Sequence, residues 1–103
     1  MAEPFIEQAP DRAQLDSTPG LQVVVFGTNW CGHCQAGLPA IQQALSAQPQ
    51  AQVHWVEDGP GRRLGRTFKV KLWPTVIVMR DGVETGRAVR PTQADEVTKI
   101  LTA

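Results

Sequence analysis

Apolar positions recur along this chain in distinct rhythms, and each rhythm predicts a different element. Leu21 to Phe26 is a nearly continuous apolar and β-branched run of strand length, suited to a central strand covered on both faces. Across Cys34 to Gln48, Leu38, Ile41 and Leu45 recur at spacings of three and four with Gln35, Gln42, Gln43 and Gln48 between them, which predicts an amphipathic helix. Pro39 falls inside that helix, where it removes the bond to the Gln35 carbonyl, so a kink about one turn in is expected. Val53 to Val56 reads as a second interior strand, and a strand–helix–strand unit of this length closes right-handed with its strands parallel. Asp58 or Gly59 is expected to cap a short helix with Leu64 and Phe68 facing inward and Arg62 and Arg66 facing out. Val76 to Met79 and Val83 to Val89 flank Asp81-Gly82, a tight-turn dipeptide, and are expected to pair antiparallel. Thr92, with Asp95 in the capping-box place, is expected to cap a last helix whose buried stripe is Ala94, Val97, Ile100 and Leu101.

Residues 1–20 are weakly determined. Pro4, Pro10 and Pro19 punctuate them, Phe5-Ile6 suits a short edge strand, and Asp11 to Leu15 forms at most a short helix. With 103 residues and 42% hydrophobic content, the chain suffices for a single domain over 1–103 with one core and is too short for two. Ten basic and ten acidic residues cancel, so bulk charge gives no reason to expect nucleic acid or membrane as partner, and a monomer is expected. The start, Met1-Ala2-Glu3-Pro4-Phe5, lacks the basic and apolar regions of a signal peptide, and no apolar run approaches the roughly 20 residues of a membrane span. The expected compartment is the reducing cytoplasm.

The chemistry concentrates in Trp30-Cys31-Gly32-His33-Cys34, which holds both cysteines of the chain between the first strand and the first long helix. So short a loop cross-links nothing distant, so a structural disulfide is a poor explanation. Two sulfurs at a strand–turn–helix junction can instead close into a disulfide and reopen. Cys31 sits where a helix N-terminus offers unpaired N–H groups, which favour a thiolate. Lowering a thiol pKa from about 8.5 to about 6 raises its ionised share at pH 7 from roughly 3% to roughly 90%. His33, when protonated, pushes the same way. A stabilised thiolate favours the dithiol over the disulfide by up to about 30 mV per pKa unit, so His33 is expected to make the site a weaker reductant than proline would.

This motif, Pro39 in the following helix, and Trp73-Pro74-Thr75 at the hairpin resemble the thioredoxin family in sequence and spacing over roughly residues 20–103. The resemblance implies an α/β, three-layer fold, a central mixed β-sheet with helices on both faces. It also implies a thiol–disulfide oxidoreductase, most simply a reductase of cytoplasmic protein disulfides, with Cys31 attacking, Cys34 resolving and Pro74 as a cis-proline against the site. The partner it suggests is a flavin-containing thioredoxin reductase fed by NADPH, or the glutathione pool; no bound cofactor is expected beyond the redox-active Cys31–Cys34 disulfide. Gly32-His33 is similar to the dipeptide of protein disulfide isomerases, where general reductases usually carry Gly-Pro, which keeps a more oxidising, isomerase-like exchanger open. Three positions depart from the family: its buried acid is Val25 here, the first Trp of its motif is Gly27, and the lysine of its next strand falls at His54 or Trp55.

Other readings compete. A structural zinc site wants four ligands, and only His33 and His54 could join the cysteines, with His33 badly placed between them. A redox-inert adaptor of the same fold would lack a reversible two-electron couple. Arg62, Arg63, Arg66, Lys69 and Lys71 form a basic run that suits a solvated face or a docking surface. Trp55 suits core packing. Trp30 and Trp73 flank elements that must stay open to substrate, so with Pro74 and Thr75 they are the substrate-contact candidates. His54 is a candidate proton acceptor for Cys34 if its side chain reaches the interior beneath the site.

Overall fold

Leu21–Gly27 forms the first strand, β1, buried on both faces because its alternate side chains feed two separate cores. The computed structural model describes residues 5, 6 and 9–102. Around β1 stand α1 (Arg12–Ser17), α2 (Gly32–Ser46), β2 (Gln52–Glu57), α3 (Arg63–Thr67), β3 (Thr75–Arg80), β4 (Val83–Val89) and α4 (Ala94–Leu101). The sheet order is β2-β1-β3-β4, with β2 parallel to β1 and the other neighbours antiparallel. Val23, Val25, Val76 and Val78 pack on one face against Leu38, Ile41, Ala44 and Leu45 of α2 and Val97 and Leu101 of α4. Val24, Phe26, Ile77 and Met79 pack on the other against Leu15 of α1, Leu64 of α3 and Phe68. The result is a three-layer α/β fold around a mixed sheet.

Several boundaries differ from the sequence reading. β2 lies at the sheet edge, not in its interior; beyond it, among the described residues, stands one bridge from Ile6 to Val56. Helix α2 starts at Gly32 with Cys31 as its N-cap, two residues before Cys34, and Pro39 lies inside it. Arg62, not Asp58 or Gly59, caps α3, because the Asp58 carboxylate is engaged by the Trp73 indole at 2.8 Å. Arg62 turns to Glu57 at 3.0 Å, while Arg66 is exposed as expected. The last cap falls one residue late, at Gln93 with Glu96, whose carboxylate takes the N–H groups of both Thr92 and Gln93. Two N–H groups converging on one side chain favour Glu96 over the shorter Asp95. The hairpin turn is as expected: Asp81 and Gly82 have φ of 52° and 83°, the left-handed pair that matches strand twist. Among the described residues, no helix is long and apolar enough to cross a membrane.

Candidate active site

Strand register brings four segments to one end of the sheet. Gly27, the last residue of β1, lies opposite Glu57 of β2; Phe26 lies opposite Thr75, which opens β3; and Thr75 lies opposite Val89, which ends β4. The Thr28-to-Cys31 loop, Trp73-Pro74 and Arg90-Pro91 therefore share that end. The Trp73–Pro74 peptide is cis. Gly37 of α2 leaves room there, since a Cβ on it would stand 3.2 Å from both the Pro74 ring and the Pro91 carbonyl oxygen.

The two sulfurs are free thiols in unlike surroundings. Cys31 is partly exposed as N-cap of α2; Cys34, one turn in, is fully buried. Burial works against a Cys31 thiolate, but the backbone N–H of Cys34, the Cys34 thiol, the backbone N–H of His33 and the charge of Arg90 together outweigh it and hold its pKa below the ordinary thiol value. Burial pushes Cys34 the other way, to about 12; the Thr28 N–H, 3.4 Å from its sulfur, opposes this, while the neighbouring Cys31 adds to it. Cys34 thus keeps its proton, and its S–H donates a hydrogen bond to the Cys31 sulfur. Gly32 and His33, the first residues of α2, are both exposed. His33 gives Cys31 its backbone N–H, and Arg90 is a side-chain cation acting on the thiol.

The described residues packed beneath Cys34 are apolar. A Cβ on Gly27 would stand 2.7 Å from both Cys34 Sγ and Phe5 Cζ, so the glycine here makes room for the buried thiol and for the Phe5 ring. Phe5 in turn meets Trp55 edge to face at 5.6 Å, and Val25 lines the same core. Trp55 is core packing, as expected. His54 is not beneath the site: period-two alternation on β2 sends Val53 and Trp55 to the Cys34 face and turns His54 to the other. There its Nε2 meets Gln22 Oε1 at 3.2 Å, and the Gln22 amide donates to the Leu15 carbonyl at 3.1 Å, tying α1 to the sheet. Burial lowers its pKa, but it cannot take a proton from Cys34 across the sheet.

The rim is aromatic. Trp30 is 77% exposed and meets the half-buried Trp73 edge to face at 6.1 Å. The Trp73 indole is fixed by Asp58, a role invisible in sequence because the residues lie on separate loops. Thr75 is a correction to the substrate-contact group: it is buried, and its hydroxyl donates to the Leu72 carbonyl at 2.5 Å. Pro74 is buried too. Arg90 is a further residue that sequence reasoning missed. Its N–H donates to the Pro74 carbonyl at 2.7 Å and its Nε to the Trp73 carbonyl at 2.9 Å. From the basic run, Arg62, Arg66 and Lys71 line a groove of about 310 Å³ that reaches the rim at Trp73. Among the described residues, no three His, Cys, Asp or Glu side chains are placed to hold a metal ion.

The chain is similar to known proteins in both sequence and fold. The thioredoxin family model matches residues 7–103. Thioredoxin from Chlamydia trachomatis is 27% identical over 82 residues, 80% of each chain. Human protein disulfide-isomerase A2 is 37% identical over 67 residues, covering 61% of this chain and 13% of that one. The reduced form of thioredoxin 2 from Pseudomonas aeruginosa PAO1 superposes with a TM-score of 0.83 at 48% identity, covering 96% of this chain and 92% of that one. A partly exposed thiol of lowered pKa at a helix start, a buried partner one turn in, a cis-proline across from them, and a family model spanning the fold all agree: the chain belongs to the thioredoxin family of thiol–disulfide oxidoreductases.

Proposed function

We propose that this chain reduces disulfides of cytoplasmic proteins, with Cys31 as nucleophile and Cys34 as resolving thiol. The observation that carries this reading is the opposite displacement of the two thiol pKa values, Cys31 down and Cys34 up. Near neutral pH one sulfur is a ready nucleophile and the other holds its proton until needed. The Cys31 thiolate attacks one sulfur of the substrate disulfide, forming a mixed disulfide and expelling the other sulfur as a thiolate. Cys34 then gives up its proton and attacks Cys31 Sγ, which closes the Cys31–Cys34 disulfide and releases the second substrate thiol. Two electrons pass to the substrate, and each of its sulfurs ends as a thiol once protonated.

Trp30 and Trp73, beside Pro74, form the surface we assign to substrate contact; Gly32 and His33 tune the nucleophile through their place at the helix start. Recharging by a flavin-dependent thioredoxin reductase using NADPH, or by glutathione, fits a family whose redox centre is the cysteine pair itself. Both cysteines of the chain lie in that centre, leaving none for a structural disulfide, which suits a reducing compartment.

The similarity to protein disulfide-isomerase A2 and the Gly32-His33 dipeptide favour a second reading, a more oxidising exchanger. Catalysis separates the two. Catalytic amounts of the chain are expected to speed reduction of a protein disulfide by a reductase-coupled NADPH supply, Cys31→Ser to abolish this, and Cys34→Ser to accumulate a substrate-linked mixed disulfide. If, in a glutathione buffer whose oxidised form takes up the electrons, reduced substrate is instead reoxidised faster than its disulfide is reduced, the exchanger reading holds.

A further inference from the structure

Arg90 follows the last residue of β4 with φ of 50°, a backbone region that costs a side-chain-bearing residue and that glycine takes freely. The other two such residues have local reasons: Lys69 follows the end of α3, and Asp81 sits in the hairpin turn with its carboxylate on the Gly20 N–H at 2.8 Å. Arg90 stands instead at the redox end of the sheet. Its N–H takes the Pro74 carbonyl and its Nε the Trp73 carbonyl, so backbone and side chain together clasp both sides of the cis peptide. Tethered by Nε, the guanidinium keeps its two Nη groups unused, exposed, and without an ion pair among the described residues. Its charge reaches both Cys31 and Cys34. The chain as a whole carries no net charge, so this is a local cation at the site and no bulk effect.

We propose that Arg90 is a specificity-determining residue of the exchange reaction, selecting protein disulfides that carry a carboxylate beside the cysteine attacked by Cys31. The inference rests on the thiol–disulfide function above. A planar guanidinium fixed through Nε presents its Nη edge to a carboxylate in a charge-assisted pair. The chemistry gives such a pair a purpose. A carboxylate next to the attacked sulfur repels the incoming thiolate, and it raises the pKa of that substrate thiol, making it a poorer leaving group when Cys34 later displaces it from Cys31. A cation over the site offsets both effects. Arginine at a position that glycine would hold without strain is then explained by the substrate.

The test uses three synthetic peptide disulfides identical but for Glu, Gln or Lys beside the cysteine, together with neutral hydroxyethyl disulfide. The full chain is compared with Arg90→Gly, which suits the backbone at this position, and with Arg90→Lys; circular dichroism confirms their fold. At low salt the wild type is expected to show kcat/KM about tenfold higher for the Glu than for the Lys peptide, a ratio that shrinks as salt rises. Arg90→Gly is expected to bring that ratio to within about twofold while still reducing hydroxyethyl disulfide, and Arg90→Lys to restore most of it. A ratio rather than a rate is read, so a change in Cys31 reactivity that affects all substrates cancels. An unchanged ratio in Arg90→Gly, or one that collapses instead in Arg66→Gln/Lys71→Gln, overturns the proposal and leaves the oxidoreductase function standing. No turnover of hydroxyethyl disulfide by the wild type overturns both.

Discussion

Cys34 Sγ and Gly27 are in such close register that a single methyl group on Gly27 would come within 2.7 Å of the sulfur. The same methyl would meet the Phe5 ring at 2.7 Å, so neither neighbour can yield without displacing the other. Gly27→Ala is therefore expected to cost about 1–3 kcal/mol of stability through overpacking. It is also expected to increase the reactivity of Cys34 by pushing it from its pocket. Urea denaturation and thiol labelling of the folded variant check the two effects; a variant as stable as the wild type would mean that the N-terminal segment moves aside at no cost.

The two thiols are expected to titrate on opposite sides of the ordinary value. Iodoacetamide should label Cys31 alone near neutral pH, at a rate that rises with pH and levels off below the usual thiol pKa of about 8.5, because its thiolate is favoured. Cys34, at about 12, should stay unlabelled until the chain is unfolded. Peptide mass mapping after brief labelling at several pH values reads this directly, and preferential labelling of Cys34 would reverse the roles.

His33 is exposed, and its backbone N–H is what reaches the Cys31 sulfur. Proline has no N–H to give. His33→Pro is expected to raise the Cys31 pKa and move the couple to more negative potential, by up to about 30 mV per pKa unit. His33→Ala keeps the amide and should move it less. Equal shifts for both variants in glutathione equilibration would assign the effect to the imidazole.

How far these features were legible in the sequence depends on how local they are. The cysteine pair, the turn at Asp81-Gly82 and the two-sided burial of β1 follow from short-range spacing, and the structure has each where expected. The face of His54 does not, because Val53-His54-Trp55-Val56 has apolar residues on both phases of the alternation and no sequence signal says which phase meets α2. Asp58 looked like a helix cap because its partner, the Trp73 indole, arrives from another loop. Arg90 is hidden by a register shift between Val78 and Met79. Counted straight back from the turn, Val89 would fall opposite Pro74; the bulge at Thr85 moves Val89 to Thr75 and brings Arg90 to Pro74.

Among the described residues, nothing beneath Cys34 replaces the missing acid, since Val25 lines the pocket and His54 faces away. In the dithiol, with a pKa of about 12, Cys34 is ionised in only about one molecule in 10⁵ at pH 7; in the mixed disulfide the part of that rise owed to the Cys31 thiolate is gone and the larger part, owed to burial, stays. Resolution is expected to be slow, with a trapped mixed disulfide whose decay quickens about tenfold per pH unit from 7 to 9. A pH-independent decay, followed by mass spectrometry after acid quench, would mean that some group of the complex takes the proton. Val25→Asp should quicken resolution at a cost of about 3 kcal/mol in stability. Burial raises the folded-state pKa of such a carboxyl above its unfolded value, so the folded state binds more protons. The ionisation cost is then absent below about pH 4 and grows as pH rises toward the folded pKa.

Equilibration of the chain with mixtures of reduced and oxidised glutathione, read by alkylation and intact mass, tests the redox assignment most directly. A single reversible two-electron transition between a dithiol and a Cys31–Cys34 disulfide, lost in Cys31→Ser and Cys34→Ser, is the predicted result. A chain that forms no intramolecular disulfide at any ratio, or ends only as a glutathione adduct on Cys31, would contradict it.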